Sequence, residues 1–361
     1  MAVAKLSAKL GCSVPPLCVT SAFLKNARRA WRALPVCRAS FRCDPLGKVG
    51  KNGVFDKEEA INALRNVNDL VRWGVSRFHE VGVYCGHGTD NAIDEALALV
   101  LHALHLPFGL PPELLAARLT ESERRQAIEV LSRRINERLP NAYLTHEAWF
   151  AGLKFYVDER VLVPRSPIAE LIASQFSPWV DVARVTRILD LCTGSGCIAI
   201  ACAYAFPEAS VDAVDLSADA LCVARRNVDD HGVNEQVRLL ESDLFGGLVG
   251  ERYDLIVSNP PYVDAVDMAM LPPEYRHEPT LGLAAGEDGL DIVVRILQQA
   301  RHYLSPEGVL IVEVGNSQHA LLERYPEVPF TGSLPYECSR VGILWPLFCL
   351  IPSGTTRRCV N

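Results

Sequence analysis

The sequence predicts an α/β fold, in which a mostly parallel sheet with helices on both faces follows a small helical region and a β-hairpin. From residue 185 onward, five short apolar runs alternate with helical stretches such as ADALCVARRNVDDHG; the runs are RILDLC, SVDAVDL, VRLLESD, YDLIVSN and GVLIVEVG. Such runs are typical of strands that are buried on both faces of a parallel sheet. Ligands bind such sheets at the carboxyl ends of the strands, so functional residues are expected there.

The composition is that of a globular protein. The 361 residues are 49% apolar and 22% charged, and the chain is long enough for two domains. Its 12 cysteines are scattered, without a CxxC pair or a Cys/His cluster at metal-ligand spacing. No metal site is therefore predicted, and a reducing, cytoplasmic (bacterial-type) location is expected. No apolar run approaches the roughly 18 residues of a membrane helix.

Charge is distributed unevenly along the chain. Residues 1–50 carry a net charge of +8, which leaves −15 on residues 51–361 out of a total of −7. An acidic body does not suit a protein that follows a phosphate backbone, but it suits a basic protein partner. We therefore expect a basic protein substrate and no direct binding of nucleic acid.

The chain divides into five predicted segments. They are a basic, disordered N-terminal extension (1–55), a helical substrate-recognition domain (56–140), a hairpin linker (141–165), a catalytic domain (166–335) and an atypical C-terminal tail (336–361). The first segment fits a transit-like peptide, a disordered arm or translated sequence upstream of the true start.

Local signals predict several boundaries in the first half of the chain. Thr89 or Asp90 is expected to cap a helix, and another helix is expected from Pro112 to near Arg138. The stretch LKFYVDERVLVP predicts two short strands that turn at Asp158–Glu159.

The first strand of the sheet ends in the glycine loop DLCTGSG. Small residues let a ligand approach the backbone, and the following helix presents free N–H groups. A tight strand–helix turn is one interpretation, and a dinucleotide site is another, because Gly194, Gly196 and Ala199 satisfy GxGxxA and Asp215 lies about twenty residues on. Asp190 favours a third: its carboxylate would repel a pyrophosphate but attract the ammonium and sulfonium groups of S-adenosylmethionine.

Two further carboxylates end the next strands. Asp215 is placed to accept hydrogen bonds from ribose hydroxyls, and Asp243 to accept an adenine amino group, with Leu244 and Phe245 against the ring. Each acid alone also fits a solvated loop or a helix cap. Three acids at the ends of three consecutive strands, beside a glycine loop, favour one shared ligand site.

The fourth strand runs into Asn259, Pro260, Pro261 and Tyr262. The prolines end the strand and stiffen the loop, because they lack an N–H and restrict φ. The side-chain carbonyl of Asn259 and the backbone carbonyl of Pro260 then form two fixed acceptors, which match the two N–H bonds of a planar –NH2 group. Tyr262 can stack on that plane. The predicted target is a planar amine or amide whose nitrogen is aimed at a methyl group.

DLCTGSG, the spaced acids and SNPPY together resemble the class I S-adenosylmethionine-dependent methyltransferases. Within that class, residues 56–330 are most similar to the protein glutamine N(5)-methyltransferases, which methylate a glutamine side-chain amide. One branch of that family acts on the GGQ loop of peptide-chain release factors, and the other on large-subunit ribosomal protein uL3. YCGHGTDNAIDEA, VLVPRSPIAELI and EYRHEPTLGLAAGEDGLDI resemble the uL3 branch. The resemblance implies a Rossmann-like sheet of seven strands, S-adenosylmethionine as cofactor and uL3 as protein substrate.

The resemblance also implies two groups of site residues. The cofactor would contact the glycine loop, the strand-end acids and nearby apolar residues: Asp190, Thr193, Gly194, Ser195, Gly196, Asp215, Asp243, Leu244 and Phe155. The acceptor would contact the strand-ending loop and a flap that follows it: Asn259, Pro260, Pro261, Tyr262 and Glu278. Asn259, Pro260 and Tyr262 are the expected catalytic residues. Phe155 also fits a core aromatic, and Arg165 fits either substrate binding or a structural ion pair.

The end of the chain departs from the family pattern. After about Thr331 the sequence no longer resembles the ending typical of the family. VGILWPLF suits a strand poorly because of Pro346, so the last strands are expected to be irregular.

Four alternative functions stay open. They are methylation of the release-factor glutamine, adenine-N(6) methylation of nucleic acid, an NAD-binding module, and an inactive product of an altered reading frame.

Overall fold

A computed structural model describes residues 55–328, 330–333 and 347–350 of the chain. The predicted N-terminal extension lies outside these residues, apart from Phe55, and so does most of the predicted tail. No helix in the described ranges is both long and apolar enough to cross a membrane.

The first half of the described chain is helical. Its helices pack around a common apolar core that includes Leu70, Phe78, Leu99 and Leu131, none more than 1% exposed. The helices are α1 (Lys57–Ala63), α2 (Val67–Val81), α3 (Ala92–Ala103), α4 (Pro112–Leu115), α5 (Glu121–Asn136) and α6 (Asn141–Thr145).

Two helix boundaries differ from the prediction. The cap of α3 is Asn91, rather than Thr89 or Asp90, because its side-chain oxygen accepts the N–H groups of Ile93 and Asp94 at 3.0 and 2.9 Å. The single helix expected from Pro112 is divided into α4 and α5. Thr120 starts α5 with a capping box, in which its backbone N–H and the Glu123 carboxylate lie 2.7 Å apart.

The hairpin consists of β1 (Glu147–Phe150) and β2 (Leu153–Tyr156), which pair antiparallel. Its turn is at Ala151 and Gly152, whose φ angles are +49° and +78°. A two-residue hairpin turn needs positive φ at these positions, which glycine adopts without strain. The hairpin predicted to turn at Asp158–Glu159 is therefore wrong, although the chain does turn there, since the Val161 N–H donates to the Asp158 carbonyl at 3.1 Å. The Asp158 carboxylate accepts hydrogen bonds from the backbone and side chain of Arg160.

Seven strands of the described chain form one sheet, in the order β5-β4-β3-β6-β7-β9-β8. β3 to β7 are mutually parallel, and β9 runs antiparallel to both β7 and β8. The strands are β3 (Arg187–Leu191), β4 (Ser210–Asp215), β5 (Val237–Glu241), β6 (Tyr253–Ser258), β7 (Leu304–Glu313), β8 (Thr331–Ser333) and β9 (Leu347–Leu350). The strand order reverses beside β3, so the carboxyl end of β3 is the expected ligand site.

Helices cover both faces of the sheet, and each face has its own apolar core. The helix after β3 reads CIAIACAYA and is apolar on all sides, which suits the burial of its first seven residues, Cys197 to Ala203. The helices are α7 (Ile168–Ala173), α8 (Cys197–Ala205), α9 (Ala218–His231), α10 (Ala265–Met270), α11 (Asp291–Ala300) and α12 (Gln318–Arg324). This is the predicted fold class, a Rossmann-like α/β sheet.

The last two strands are short, as expected of an irregular edge. β9 begins directly after Pro346, which lets the apolar residues that follow the proline pair with β7 without a missing N–H in the ladder. The four residues of β9 fall in the segment predicted as an atypical C-terminal tail.

Candidate active site

The glycine loop after β3 is wound tightly by three residues with positive φ. Cys192, Gly194 and Gly196 have φ angles of +61°, +54° and +80°. A Cβ atom at Gly194 would meet nothing within 4 Å, so this glycine faces open space. Thr193, Gly194 and Ser195 line a cavity over the ends of β3, β4 and β5, called here the first cavity.

Asp190 lies beneath this loop and is fully buried. One of its carboxylate oxygens accepts the Thr193 hydroxyl at 2.6 Å and the Ala199 N–H at 3.0 Å. The other oxygen has no hydrogen-bond partner among the described residues. Burial raises the pKa of Asp190 to about 7, and the charge of Asp215 adds to the shift. The predicted carboxylate is therefore present, below the cavity wall rather than on its surface.

Asp215 ends β4 and lines the first cavity. Its carboxylate accepts the Gly194 N–H at 2.8 Å and the Ser217 N–H at 2.9 Å, one on each oxygen. Burial raises the pKa of Asp215 as well. The side chain thus ties the glycine loop to β4 while it faces the cavity.

Asp243 and Leu244 also line the first cavity, two and three residues beyond the end of β5. Asp243 forms a 2.7 Å ion pair with Arg295, a cavity residue that no sequence motif singles out. Phe245 was expected to pack on the ligand ring. It is instead fully buried and stacks on Tyr303, with 4.5 Å between ring centroids, because Leu244 has a φ of +50° and turns the chain into the core.

Asn259 follows β6 and lies where the first cavity meets a second one. Pro261 lines the first cavity, whereas Pro260 and Tyr262 line the second. The side-chain oxygen of Asn259 is buried and has no hydrogen-bond partner among the described residues. A buried acceptor without a hydrogen bond destabilises the folded protein unless a ligand supplies the donor.

Tyr262 is held in the wall of the second cavity. Its hydroxyl donates to Glu313, at the end of β7, at 2.8 Å. A Cβ atom at Gly315 would lie 2.6 Å from the ring, so only glycine leaves room for it. Burial raises the pKa of the Tyr262 hydroxyl well above its usual range, so it stays a neutral donor.

Two predicted site residues are elsewhere. Phe155 is 1% exposed and packs in the core against Phe150 and His231. It does not line the first cavity formed by the described residues, so the structure does not support a cofactor lid there. The cause is the register of the hairpin, which points alternate β2 side chains towards the core.

Glu278 is not exposed to a substrate in this structure. It is 4% exposed, forms two hydrogen bonds of 2.6 and 2.8 Å with Arg165, and accepts the Val163 N–H at 3.0 Å. The pKa of Glu278 is lowered to about 2, because the neighbouring Arg165 and His87 outweigh the effect of burial. Arg165 thus forms a structural ion pair, and it also lines both cavities.

Several residues of the second cavity were not singled out from the sequence. Four lie on or near α10, in the segment after the NPPY loop: Asp267, Met270, Leu271 and Tyr275. The fifth is Asn316, which follows β7 and donates its side-chain N–H to Asp267 at 3.1 Å. Of these, Tyr275 belongs to a motif that resembles the uL3 branch. The others become neighbours of Asn259 through the folding of the loop.

The residues around the first cavity fit S-adenosylmethionine. The orphaned oxygen of Asp190 supplies negative charge for an ammonium or sulfonium group, and Asp215 ends the strand next to the loop. Gly194 leaves open space for a ligand against the backbone, and Leu244 supplies an apolar surface. Within the described ranges, no cluster of His, Cys, Asp and Glu could hold a metal ion.

The chain is similar in sequence to known methyltransferases. Residues 170–271 match the methyltransferase small domain family. Two ribosomal protein uL3 glutamine methyltransferases, from Neisseria meningitidis serogroups B and A, are each 52% identical over 274 residues, which covers 76% of this chain and 90% of theirs. A solved human methyltransferase 10 domain containing protein is 16% identical, with a TM-score of 0.40, over 55% of this chain and 88% of that one. The chain belongs to the family of ribosomal protein uL3 glutamine methyltransferases.

Proposed function

We propose that this protein transfers a methyl group from S-adenosylmethionine to the side-chain amide nitrogen of a glutamine in ribosomal protein uL3. The observation that carries the proposal is the buried, unpartnered side-chain oxygen of Asn259 at the junction of the two cavities. The names of the relatives support the choice of uL3.

The low reactivity of the acceptor amide is the main obstacle to the reaction. An amide nitrogen is a weak nucleophile, because its lone pair is delocalised into the carbonyl. Asn259 accepts one amide N–H and the backbone carbonyl of Pro260 accepts the other, which aims the nitrogen from the second cavity into the first. Both acceptors also stabilise the positive charge that develops on nitrogen as the new bond forms.

The first cavity holds the methyl donor. Bound S-adenosylmethionine supplies an electrophilic methyl group on a sulfonium sulfur. Asp190 and the loop from Thr193 to Gly196 hold its methionine end, Asp215 accepts from its ribose, and Asp243 and Leu244 contact its adenine. The methyl group would pass from sulfur, which keeps the electron pair of the broken carbon–sulfur bond, to the amide nitrogen, which would release one proton to solvent water.

The second cavity holds the glutamine side chain. Tyr262 lies along one wall, and Met270 and Leu271 provide apolar surface for the methylene groups of the acceptor. The helical domain of residues 56–140 makes the remaining contacts with the protein substrate. An acidic body with a charge of −15 over residues 51–361 suits a basic ribosomal protein and disfavours bare nucleic acid. We place the reaction in the cytoplasm, where free cysteines such as Cys222 stay reduced.

Asn259→Ala tests the proposal, because it removes the acceptor without filling either cavity. The variant, the wild type and an exposed control, Asn234→Ala, are given labelled S-adenosylmethionine and purified uL3. We expect Asn259→Ala to lower kcat by about 10²–10³-fold, the loss typical of one such hydrogen-bonding group. The affinity for cofactor, measured by calorimetry, should stay unchanged.

Asn259→Asp tests whether the loss in Asn259→Ala comes from the missing acceptor, since a carboxylate of nearly the same size can still accept the amide N–H. It should retain more activity than Asn259→Ala. Full activity of Asn259→Ala would overturn the proposed clamp. Label on a release factor or on DNA, with none on uL3, would overturn the substrate.

A further inference from the structure

We propose that Glu313 is a positioning residue for the acceptor amide, because its buried carboxylate fixes the Tyr262 ring against the second cavity. This inference deepens the proposed function and rests on it for the identity of the acceptor. It assigns a role to a buried acid that the methyl-transfer step itself does not use.

Glu313 is the last residue of β7 and is 1% exposed. One carboxylate oxygen accepts the Tyr262 hydroxyl at 2.8 Å, and the other accepts the Ser166 hydroxyl at 2.5 Å. Ser166 itself accepts the Ile168 N–H at 3.1 Å at the start of α7. One side chain therefore joins the NPPY loop to the segment that follows the hairpin.

The backbone around Tyr262 closes on it from the other sides. Ser317 donates its hydroxyl to the Tyr262 carbonyl at 3.2 Å. A Cβ atom at Gly289 would lie 2.4 Å from that carbonyl oxygen, and a Cβ atom at Gly315 would lie 2.6 Å from the ring. The ring is thus confined at its edge, and Glu313 fixes the hydroxyl at its far end.

A buried carboxylate at this position is unfavourable for the stability of the fold. Burial raises the pKa of Glu313, although the two hydroxyl donors oppose the shift. An apolar side chain of similar size would avoid the cost of removing the charge from water. The wall of neither cavity, as formed by the described residues, includes Glu313. Its two hydrogen bonds are therefore its contribution, and one of them ends on an acceptor-site residue.

The position of Tyr262 matters because the ring forms the surface against which the acceptor amide lies. Misplacement of a reacting group by about 1 Å can cost about 10²-fold in rate. Loss of the Glu313 hydrogen bond should therefore lower turnover of uL3. Binding of cofactor in the first cavity should not change.

A double-mutant cycle tests the proposal on the full-length enzyme. Glu313→Leu and Tyr262→Phe each remove the same hydrogen bond and keep most of the side-chain volume. We expect each to lower kcat/KM for uL3 by about 10-fold or more. The kcat/KM of the double variant should be no lower than that of the less active single variant. Glu313→Gln keeps one acceptor oxygen and should retain more activity than Glu313→Leu.

Asp212→Asn is the matched structural control. Asp212 is 5% exposed and accepts the hydroxyl of another tyrosine, Tyr253, at 2.7 Å, but it lies in the middle of β4 away from both cavities. It should lower the melting temperature without changing kcat/KM for uL3 below that temperature. The positioning role of Glu313 would be overturned if the double variant lost kcat/KM by the product of the two single losses. An equal loss of kcat/KM in Asp212→Asn would overturn it as well.

The position of the ring can also be measured without any acceptor. Crystal structures of the wild type and Glu313→Leu should show a displaced Tyr262 ring in the variant, and an unmoved ring would overturn the proposal. A wild type that never labels uL3 would refute the proposed function alone, and these crystal structures would then decide the role of Glu313.

Discussion

Cofactor affinity is expected to rise as the pH increases through about 7, because Asp190 ionises in that range. Its carboxyl is fully buried, and burial raises its pKa from 3.8 to about 7. A cationic ligand near the unpartnered oxygen favours the ionised form. One pH unit below the pKa only about a tenth of the molecules carry that charge, and one unit above it about nine-tenths do. The affinity for S-adenosylmethionine should therefore increase about tenfold between about pH 6 and about pH 8.

The same titration affects the stability of the protein without cofactor, with the opposite sign. Below the unfolded value of 3.8, Asp190 is protonated in both states and costs nothing. As the pH rises towards about 7, the unfolded chain releases this proton while the folded protein keeps it, so stability falls. Each pH unit between the folded and unfolded pKa values lowers the free energy of unfolding by about 1.4 kcal/mol, so the loss is on the order of 4 kcal/mol and is complete above about pH 7.

Calorimetric titration with S-adenosylmethionine across this pH range measures the first effect, and denaturant unfolding without cofactor measures the second. Asp190→Asn is the matched control, since it keeps the size and removes the titration. It should abolish the extra pH dependence of binding and stabilise the cofactor-free protein at neutral pH. Equal pH dependence of the cofactor affinity in both proteins would refute the role given to Asp190.

Three further predictions concern the glycine loop, the Tyr262 ring and the ion pair of Glu278 with Arg165. Gly194→Val places a side chain in open space at a φ of +54°, and it should weaken cofactor binding about tenfold or more in calorimetry; tight binding would contradict the assigned loop. Gly315→Ala brings a methyl group within 2.6 Å of the Tyr262 ring, so turnover of uL3 should fall while cofactor affinity is retained, and unchanged turnover would argue against a fixed ring. Glu278→Gln leaves the partly buried Arg165 without its full counter-charge and should destabilise the protein by up to about 3 kcal/mol in denaturant unfolding. Because the pKa of Glu278 is lowered to about 2, its contribution to wild-type stability should be lost as the pH falls from about 4.5 towards 2, and a flat acid profile would contradict the pairing.

Features that depend on local sequence were the most predictable. The alternation of apolar runs and helices predicted a parallel sheet, and β3 to β7 form one. The glycine loop and Asn259 lie at the ends of their strands, because strand ends follow directly from where the apolar runs stop. Proline and glycine restrict or extend backbone freedom locally, so they mark such ends reliably.

Side-chain direction was harder to predict. Phe155 was expected either at the cofactor or in the core, and Phe245 was expected at the cofactor. Both are buried in the core, because the hairpin register and the positive φ of Leu244 decide where they point. The hairpin turn was misplaced because Asp158–Glu159 looked like a polar turn, whereas the left-handed pair at Ala151 and Gly152 forms the actual one.

Contacts between distant segments could not be predicted from one sequence. Glu313 reaches Tyr262 across 51 residues and Ser166 across 147, and Glu278 reaches Arg165 across 113. None of these pairs leaves a periodic or short-range pattern. They follow from the packing of the loops after the sheet has formed, so no local motif reveals which residues pair.

The most direct test of the account is to locate the transferred methyl group. Purified enzyme is incubated with labelled S-adenosylmethionine and with uL3, a release factor and DNA in separate reactions, and labelled protein is fragmented in a mass spectrometer. The account predicts one added methyl group on a glutamine side chain of uL3, present with the wild type and lost with Asn259→Ala. Label on a different residue type of uL3, or on the release factor or DNA in place of uL3, would contradict it.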